Sequence, residues 1–220
     1  MATHLDLQEQ EQVDALKAFW KQYGNLITWV LLLALGAYGG WNGWLWYQRD
    51  QATKAGALYE ALDQRAQAAD LDKIRTALAD LRDKFPRTVQ AAQGGLLAAA
   101  VQHRQGRADE AKASLTWVAE QGADPDLRQV ARLRLAALLM QAGEHEAALK
   151  QLDAVDAAAF APLAADRRGD VLAAMGKTAE ARAAYELAWK TMDRQLEIRR
   201  LVEAKLTAMG AAPAASEATR

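Results

Sequence analysis

The feature that most constrains this chain is a run from Gln22 to Gln48 that contains no charged residue. The run is 27 residues long, and Lys21 and Arg49 bound it. A helix needs about 20 apolar residues to cross the hydrocarbon core of a bilayer, whereas a helix on the surface of a soluble protein keeps a charged or polar face. The length and the missing charges therefore predict a transmembrane helix at residues 25–48.

Aromatic residues at both ends of the run support this interpretation. Trp29 lies near one end, while Trp44, Trp46 and Tyr47 lie near the other. Indole and phenol rings favour the headgroup layer of a membrane, where their apolar bodies and polar tips are both satisfied. The positions of these rings are typical of a helix that spans a bilayer.

A cleaved export signal is the main alternative to an anchor. Signal peptides combine a short basic start, an apolar run of about 7–15 residues and a cleavage site of small residues. Here the run is longer, the preceding segment carries four acidic residues, and large aromatic residues end the run. The small residues at Ala55–Ala57 lie well beyond it. We therefore expect an uncleaved anchor that follows an amphipathic lead at residues 1–24.

The flanking charges leave the orientation of this anchor open. Two basic residues, Lys17 and Lys21, precede the span, and two, Arg49 and Lys54, follow it. The positive-inside rule therefore favours neither orientation. A domain as large as the one that follows can be translocated whatever its charge. The domain could therefore face either side of the membrane.

Composition predicts an all-helical domain at residues 49–210. The chain has a formal net charge of −1, so no nucleic-acid partner is indicated. It is rich in strong helix formers and has only four prolines. The absence of cysteine suits an oxidising compartment but also many cytosolic proteins.

Three segments of this domain align on a glycine, namely "QGRADEAKASL", "AGEHEAALKQL" and "MGKTAEARAAY". Gly106, Gly143 and Gly176 are 37 and 33 residues apart, close to the tetratricopeptide (TPR) period of 34. Each glycine is expected to end a helix in the left-handed conformation. Small residues at two positions and a large apolar residue at a third recur around each glycine, as close helix pairs require. These residues are Ala99, Ala136 and Gly169; Ala111, Ala148 and Ala181; and Leu115, Leu152 and Tyr185.

The predicted fold class is therefore all-α, with one N-terminal transmembrane helix followed by a TPR-like helical solenoid. An alanine-rich helical bundle without repeats is the alternative. The expected segments are a degenerate repeat at about 52–86, repeats at about 92–125, 129–161 and 162–192, a capping helix at about 193–209, and a disordered tail at 211–220.

The sequence contains no recognisable catalytic or metal-binding set, so we expect neither an enzyme nor a cofactor. His4, His103 and His145 are far apart. The segment "HEAAL" from His145 begins like a zinc-protease helix, but Leu149 stands where the second histidine would be needed.

A TPR stack offers a concave surface, lined by the first helix of each repeat, on which peptides bind. The TPR register predicts which side chains face it. They are Leu96 and Ala100 in the first repeat; Val130, Leu133, Ala137 and Met140 in the second; and Asp166, Asp170 and Ala173 in the third. Because the register is inferred, Leu133 and Met140 could instead fill the core between helices.

Glycines within the span form a second candidate surface. Gly36, Gly39, Gly40 and Gly43 include two G-x-x-x-G pairs, which let another transmembrane helix approach closely. The alternative is that glycine is simply frequent in membrane spans.

The whole layout resembles the YfgM-like ancillary subunits of the bacterial SecYEG translocon. The lead "EQEQVDALKAFWKQYGNLI" is similar to the start of that family, and "LRLAALLMQAGEHEAALKQLDAV" and "ADRRGDVLAAMGKTAEARAAYELAWK" are similar to its central and last repeats. The resemblance covers nearly the full chain, except for the tail after Met209.

The resemblance implies a single-pass protein of the bacterial inner membrane, with a cytoplasmic N-terminus and a periplasmic TPR domain. It implies a chaperone-like interaction module whose partners are SecYEG, the membrane-anchored prolyl isomerase PpiD and unfolded secretory or outer-membrane proteins. A cytoplasmic-facing TPR scaffold of another membrane complex is the alternative function.

Overall fold

A computed structural model of the protein describes residues 7–211, which form nine helices and no strand. His4 and the predicted disordered tail beyond Ala211 lie outside the described residues. The helices are α1 (Leu7–Gln67), α2 (Leu71–Lys84), α3 (Val89–Arg104), α4 (Ala108–Gln121), α5 (Pro125–Gln141), α6 (His145–Asp153), α7 (Ala161–Ala174), α8 (Thr178–Thr191) and α9 (Ile198–Ala208).

The chain divides into two units, and the first ends at Asp50. Among the residues searched, α1 is the one helix long and apolar enough to cross a membrane. Its large apolar side chains face outward, with Leu33 70% and Trp41 65% exposed. A folded soluble domain would bury most side chains of this kind, so the first unit fits a membrane anchor.

The second unit, from Gln51 onward, is a stack of helix pairs. The end of α1 is followed by α2, and the next pairs are α3–α4, α5–α6 and α7–α8, with α9 packed on α8. From α2 onward each helix contacts the next one along the chain, and α5 also contacts α3 and α7. The predicted all-α class with a TPR-like solenoid is confirmed.

Side-chain caps fix where several of these helices begin. The carboxylate of Asp70 accepts a hydrogen bond from the backbone N–H of Lys73, and Asp124 does the same for Leu127. Pro125 follows Asp124 at the first position of α5, where its missing N–H costs nothing. Caps of this kind stabilise a helix start by about 0.5–2 kcal/mol.

The repeated glycines end the first helices α3, α5 and α7, as predicted. Gly106, Gly143 and Gly176 have φ angles of +74°, +77° and +75°. At Gly106 the backbone N–H donates to the carbonyl of His103, and the next N–H donates to the carbonyl of Gln102. The same two bonds recur at the other two glycines, forming Schellman turns. A side chain at these positions would be strained, because L-residues rarely adopt positive φ.

Small residues let the two helices of each pair approach closely. Ala111, Ala148 and Ala181 are completely buried. At Gly169 a methyl group would lie only 2.4 Å from the Tyr185 ring. The ring therefore packs directly on the backbone of α7.

Gly169→Ala should destabilise the domain by about 1–3 kcal/mol, because the added methyl overpacks the contact with Tyr185. Gly56→Ala is the matched control, since its methyl would meet nothing within 4 Å. That control should be neutral or slightly stabilising, because alanine is the better helix former. Urea unfolding of the chain in detergent, followed by circular dichroism, measures both changes, and equal stability of the two variants would contradict this packing.

Candidate partner-binding surfaces

An apolar cleft of about 380 Å³ lies between α3 and α5, the first helices of two neighbouring pairs. Ala100 and Ala137, two of the predicted groove residues, line it together with Leu138. Ala100 is exposed and Ala137 is half-buried. The structure thus brings these two predicted residues together on one accessible surface.

Two of the four polar residues of this cleft, Arg104 and Arg134, are cationic. His103 and Arg104 from α3 and Arg134 from α5 all line it, and all three are exposed. No described residue forms an ion pair with either arginine. An apolar floor beside unpaired cations suits a ligand that combines apolar and acidic groups.

The same side of α3 continues into a second cleft of about 410 Å³. Leu97, Val101 and Arg104 of α3 line this cleft, which reaches Asp63 and Ala66 near the end of α1. Arg104 belongs to both clefts, so they form one continuous surface. We call this surface the first-helix groove.

The TPR register predicts that Leu96, and not Leu97, lines the groove. Leu96 is only 7% exposed and belongs to the core, whereas Leu97 is half-buried and lines a cleft. α3 is apolar on nearly every side, and its Gly94 and Gly95 lie against side chains of α2 and α4. Periodicity shows which side of a helix faces the core only where a polar side contrasts with an apolar one. In α3 it therefore does not show whether Leu96 or Leu97 faces the groove.

Three of the four remaining apolar candidates are half-buried. Val130, Leu133 and Met140 of α5 pack against the hydrophobic core, and each keeps part of its surface accessible. They therefore contribute to the core and to the surface of α5 at once. Ala173 of α7 is exposed.

The two acidic candidates take part in a network with α9. The Lys205 ammonium lies 2.7 Å from Asp166 Oδ1 and 2.6 Å from Asp170 Oδ1. The Tyr185 hydroxyl donates to Asp170 at 2.8 Å, and Lys205 also lies 5.1 Å from the centre of the Tyr185 ring. Asp166 is 1% exposed, so its carboxylate faces Lys205 and not a partner.

Burial is the main influence on the pKa values of two residues of this network, Asp166 and Tyr185. It raises the pKa of Asp166 above its usual value, and the hydrogen bond from Lys205 opposes that shift. Burial also raises the pKa of Tyr185, and the hydrogen bond to Asp170 raises it further. The ammonium of Lys205 therefore compensates a carboxylate that water cannot reach.

Lys205→Met should destabilise the domain by about 3–5 kcal/mol near neutral pH, because it leaves a buried carboxylate unpaired. A raised folded-state pKa favours the folded state at low pH, and that benefit is lost as the pH rises through the folded-state pKa. The deficit against wild type should therefore shrink as the pH falls from 7 towards 4, because Asp166 without the opposing ammonium takes up a proton at a higher pH than in wild type.

Urea unfolding at several pH values measures this deficit. Lys190→Met, at an exposed position of α8, is the control and should change stability little at any pH. A deficit for the Lys205 variant that stays constant between pH 7 and 4 would contradict the assigned role of Asp166.

The glycines of the span are open to a neighbour. A methyl group at Gly36, Gly39, Gly40 or Gly43 would meet no other described residue within 4 Å. All four lie on exposed backbone of α1. No described residue of the first unit covers the side of the helix on which these glycines lie.

No group of three or more metal-ligating side chains occurs within the residues searched. The surfaces described above comprise apolar clefts, two arginines beside one of them and an open helix face.

Comparison with known proteins gives matches over most of the chain. Residues 17–211 match the family described as a tetratricopeptide repeat-like domain. A protein of Neisseria gonorrhoeae called "Ancillary SecYEG translocon subunit" is 34% identical over 210 residues, which cover 95% of this chain and 100% of the relative. Proteins with the same name from Escherichia coli and Haemophilus influenzae are 29% and 27% identical, each over 83% of this chain and 88% and 89% of the relatives.

Proposed function

The chain belongs to the family of ancillary SecYEG translocon subunits, and we propose that it acts beside that translocon as a membrane-anchored TPR interaction module. In this proposal α1 holds the chain in the bacterial inner membrane with the N-terminus in the cytoplasm. The helix pairs from Gln51 onward lie in the periplasm, where exported chains emerge.

The observation that carries this proposal is the first-helix groove. It combines an apolar floor at Ala100 and Ala137 with the unpaired cations Arg104 and Arg134. Exposed apolar surface of this kind usually marks an interaction site. A single aliphatic side chain gains about 1.5–3 kcal/mol at most on burial, so a short segment binds weakly and leaves readily. Transient holding of this kind suits a chaperone-like role towards unfolded secretory and outer-membrane proteins.

A PpiD-like membrane-anchored chaperone is the proposed protein partner besides SecYEG. The support for this partner is the resemblance of the lead and the repeats to YfgM-like subunits. A partner with its own span could also use the glycine face of α1, since Gly36 and Gly40 leave room for a second helix to approach. We propose that this face docks on a span of PpiD or of the translocon.

Ala100→Trp tests the groove, because the indole would fill the apolar cleft from an exposed position. We expect photo-crosslinking of the full chain to exported proteins or to PpiD in native membranes to fall about three- to tenfold. The fall reflects the loss of one or two apolar contacts. Ala183→Trp, at an exposed position of α8, is the control and should leave crosslinking unchanged.

Variants of the span separate the two proposed surfaces. Gly36→Leu with Gly40→Leu should reduce co-purification of PpiD or SecYEG and leave membrane insertion intact. If the groove variant and the span variant both retain wild-type crosslinking and co-purification, neither surface carries the function proposed for it.

A further inference from the structure

A separate cleft of about 570 Å³ lies between α2 and α4, the second helices of their pairs. The first-helix groove, in contrast, is formed by α1, α3 and α5. Leu78 and Ala79 of α2 and Ala113 and Trp117 of α4 provide apolar surface in this cleft. The function proposed above does not use it.

Polar groups with unused hydrogen-bonding capacity line this cleft. Gln102 and Ser114 are 3% and 4% exposed, and the Ser114 hydroxyl donates to Gln102 Oε1 at 2.9 Å. The amide nitrogen of Gln102 donates to no described residue. Trp117 is 7% exposed, and its indole N–H likewise finds no acceptor in the described part of the chain. Neither donor atom is among the buried side-chain atoms without a partner, so both reach the open space of the cleft although their residues are nearly buried, and a ligand there can accept from them.

An unused acceptor lies in the same cleft. Glu110 Oε2 is buried and has no hydrogen-bond partner among the described residues. The closest cation, Arg75 Nε, is 3.8 Å away, which is too far for a hydrogen bond. The rest of the Glu110 side chain is 32% exposed, so its carboxylate can accept from a ligand in the cleft, beside the two donors.

The charges around the cleft balance. Arg75 and Arg82 are matched by Asp83 and Glu110, and all four line it. Arg82 lies over the Trp117 ring, 4.7 Å from its centre, so it already covers the aromatic face that an incoming cation would use. A ligand with a net charge of either sign gains little here. A neutral group that both accepts and donates hydrogen bonds fits best, and the peptide unit is such a group.

We propose that the cleft between α2 and α4 binds an extended, uncharged polypeptide segment through its main chain. Peptide carbonyls accept from Gln102 and Trp117, and a peptide N–H donates to Glu110. Small apolar side chains of the segment pack on Leu78 and Ala113. This site is independent of the translocon partnership, because it rests on the hydrogen bonds that the cleft leaves unmade.

The natural chain has no cysteine, so a single introduced one can report on the cleft. Ala113→Cys places a bimane label at an exposed position of the cleft, and Ala100→Cys places the same label in the first-helix groove. The full chain in detergent is titrated with a capped nine-residue peptide of glycine, alanine, serine and valine. Peptides of equal length that carry a central pair of glutamates or of lysines complete the set.

The uncharged peptide should change the emission of the label at position 113 saturably and bind more tightly than either charged peptide. Trp117→Phe keeps the ring and removes only the indole N–H, so affinity should fall about three- to tenfold. Trp189→Phe makes the same change in α8, outside the cleft, and should leave the affinity as it is.

Several results would overturn the proposal. These are the absence of a saturable response at position 113, equal or tighter binding of a charged peptide, and an affinity that Trp117→Phe leaves unaltered. A response confined to the label at position 100 would assign the peptide to the first-helix groove and would equally reject the cleft.

Discussion

The close approach of paired helices over small residues is the contact on which the rest of the domain depends. Gly169 lies under the ring of Tyr185, and the buried residues Ala99 and Ala136 take the equivalent place on the first helices α3 and α5. A left-handed turn before each second helix reverses the chain, so that the two helices can meet. Glycine adopts this conformation before α4, α6 and α8, and Ala69 adopts it before α2. Larger residues at these positions would separate the helices, and the clefts between neighbouring pairs would change with them.

This stacking yields surfaces of different character. The first helices leave an apolar groove with Arg104 and Arg134 beside it, and the second helices leave a cleft whose charges balance. At the end of the stack, α9 brings Lys205 to the carboxylates of Asp166 and Asp170. The acidic residues therefore serve to hold the terminal helix, while the groove between α3 and α5 remains accessible to a partner.

The sequence predicts those features that local chemistry determines. The glycine spacing predicts where helices end, because only glycine readily adopts positive φ. The uncharged run predicts the apolar helix. The sequence does not show which side of α3 faces the groove, because apolar residues cover nearly every side of this helix. The register therefore predicts Leu96 as a groove residue, whereas the structure has Leu97 there. The burial of Asp166 depends on Lys205, which is 39 residues away, and no local pattern predicts such a contact.

The side of the membrane that the helix pairs occupy is central to this account, and the flanking charges leave it open. Alkaline phosphatase and green fluorescent protein, each fused after Met209, measure it directly, since the phosphatase folds in the periplasm and the fluorescent protein in the cytoplasm. The account predicts phosphatase activity without fluorescence. Fluorescence without phosphatase activity would contradict it and would instead indicate a scaffold that faces the cytoplasm.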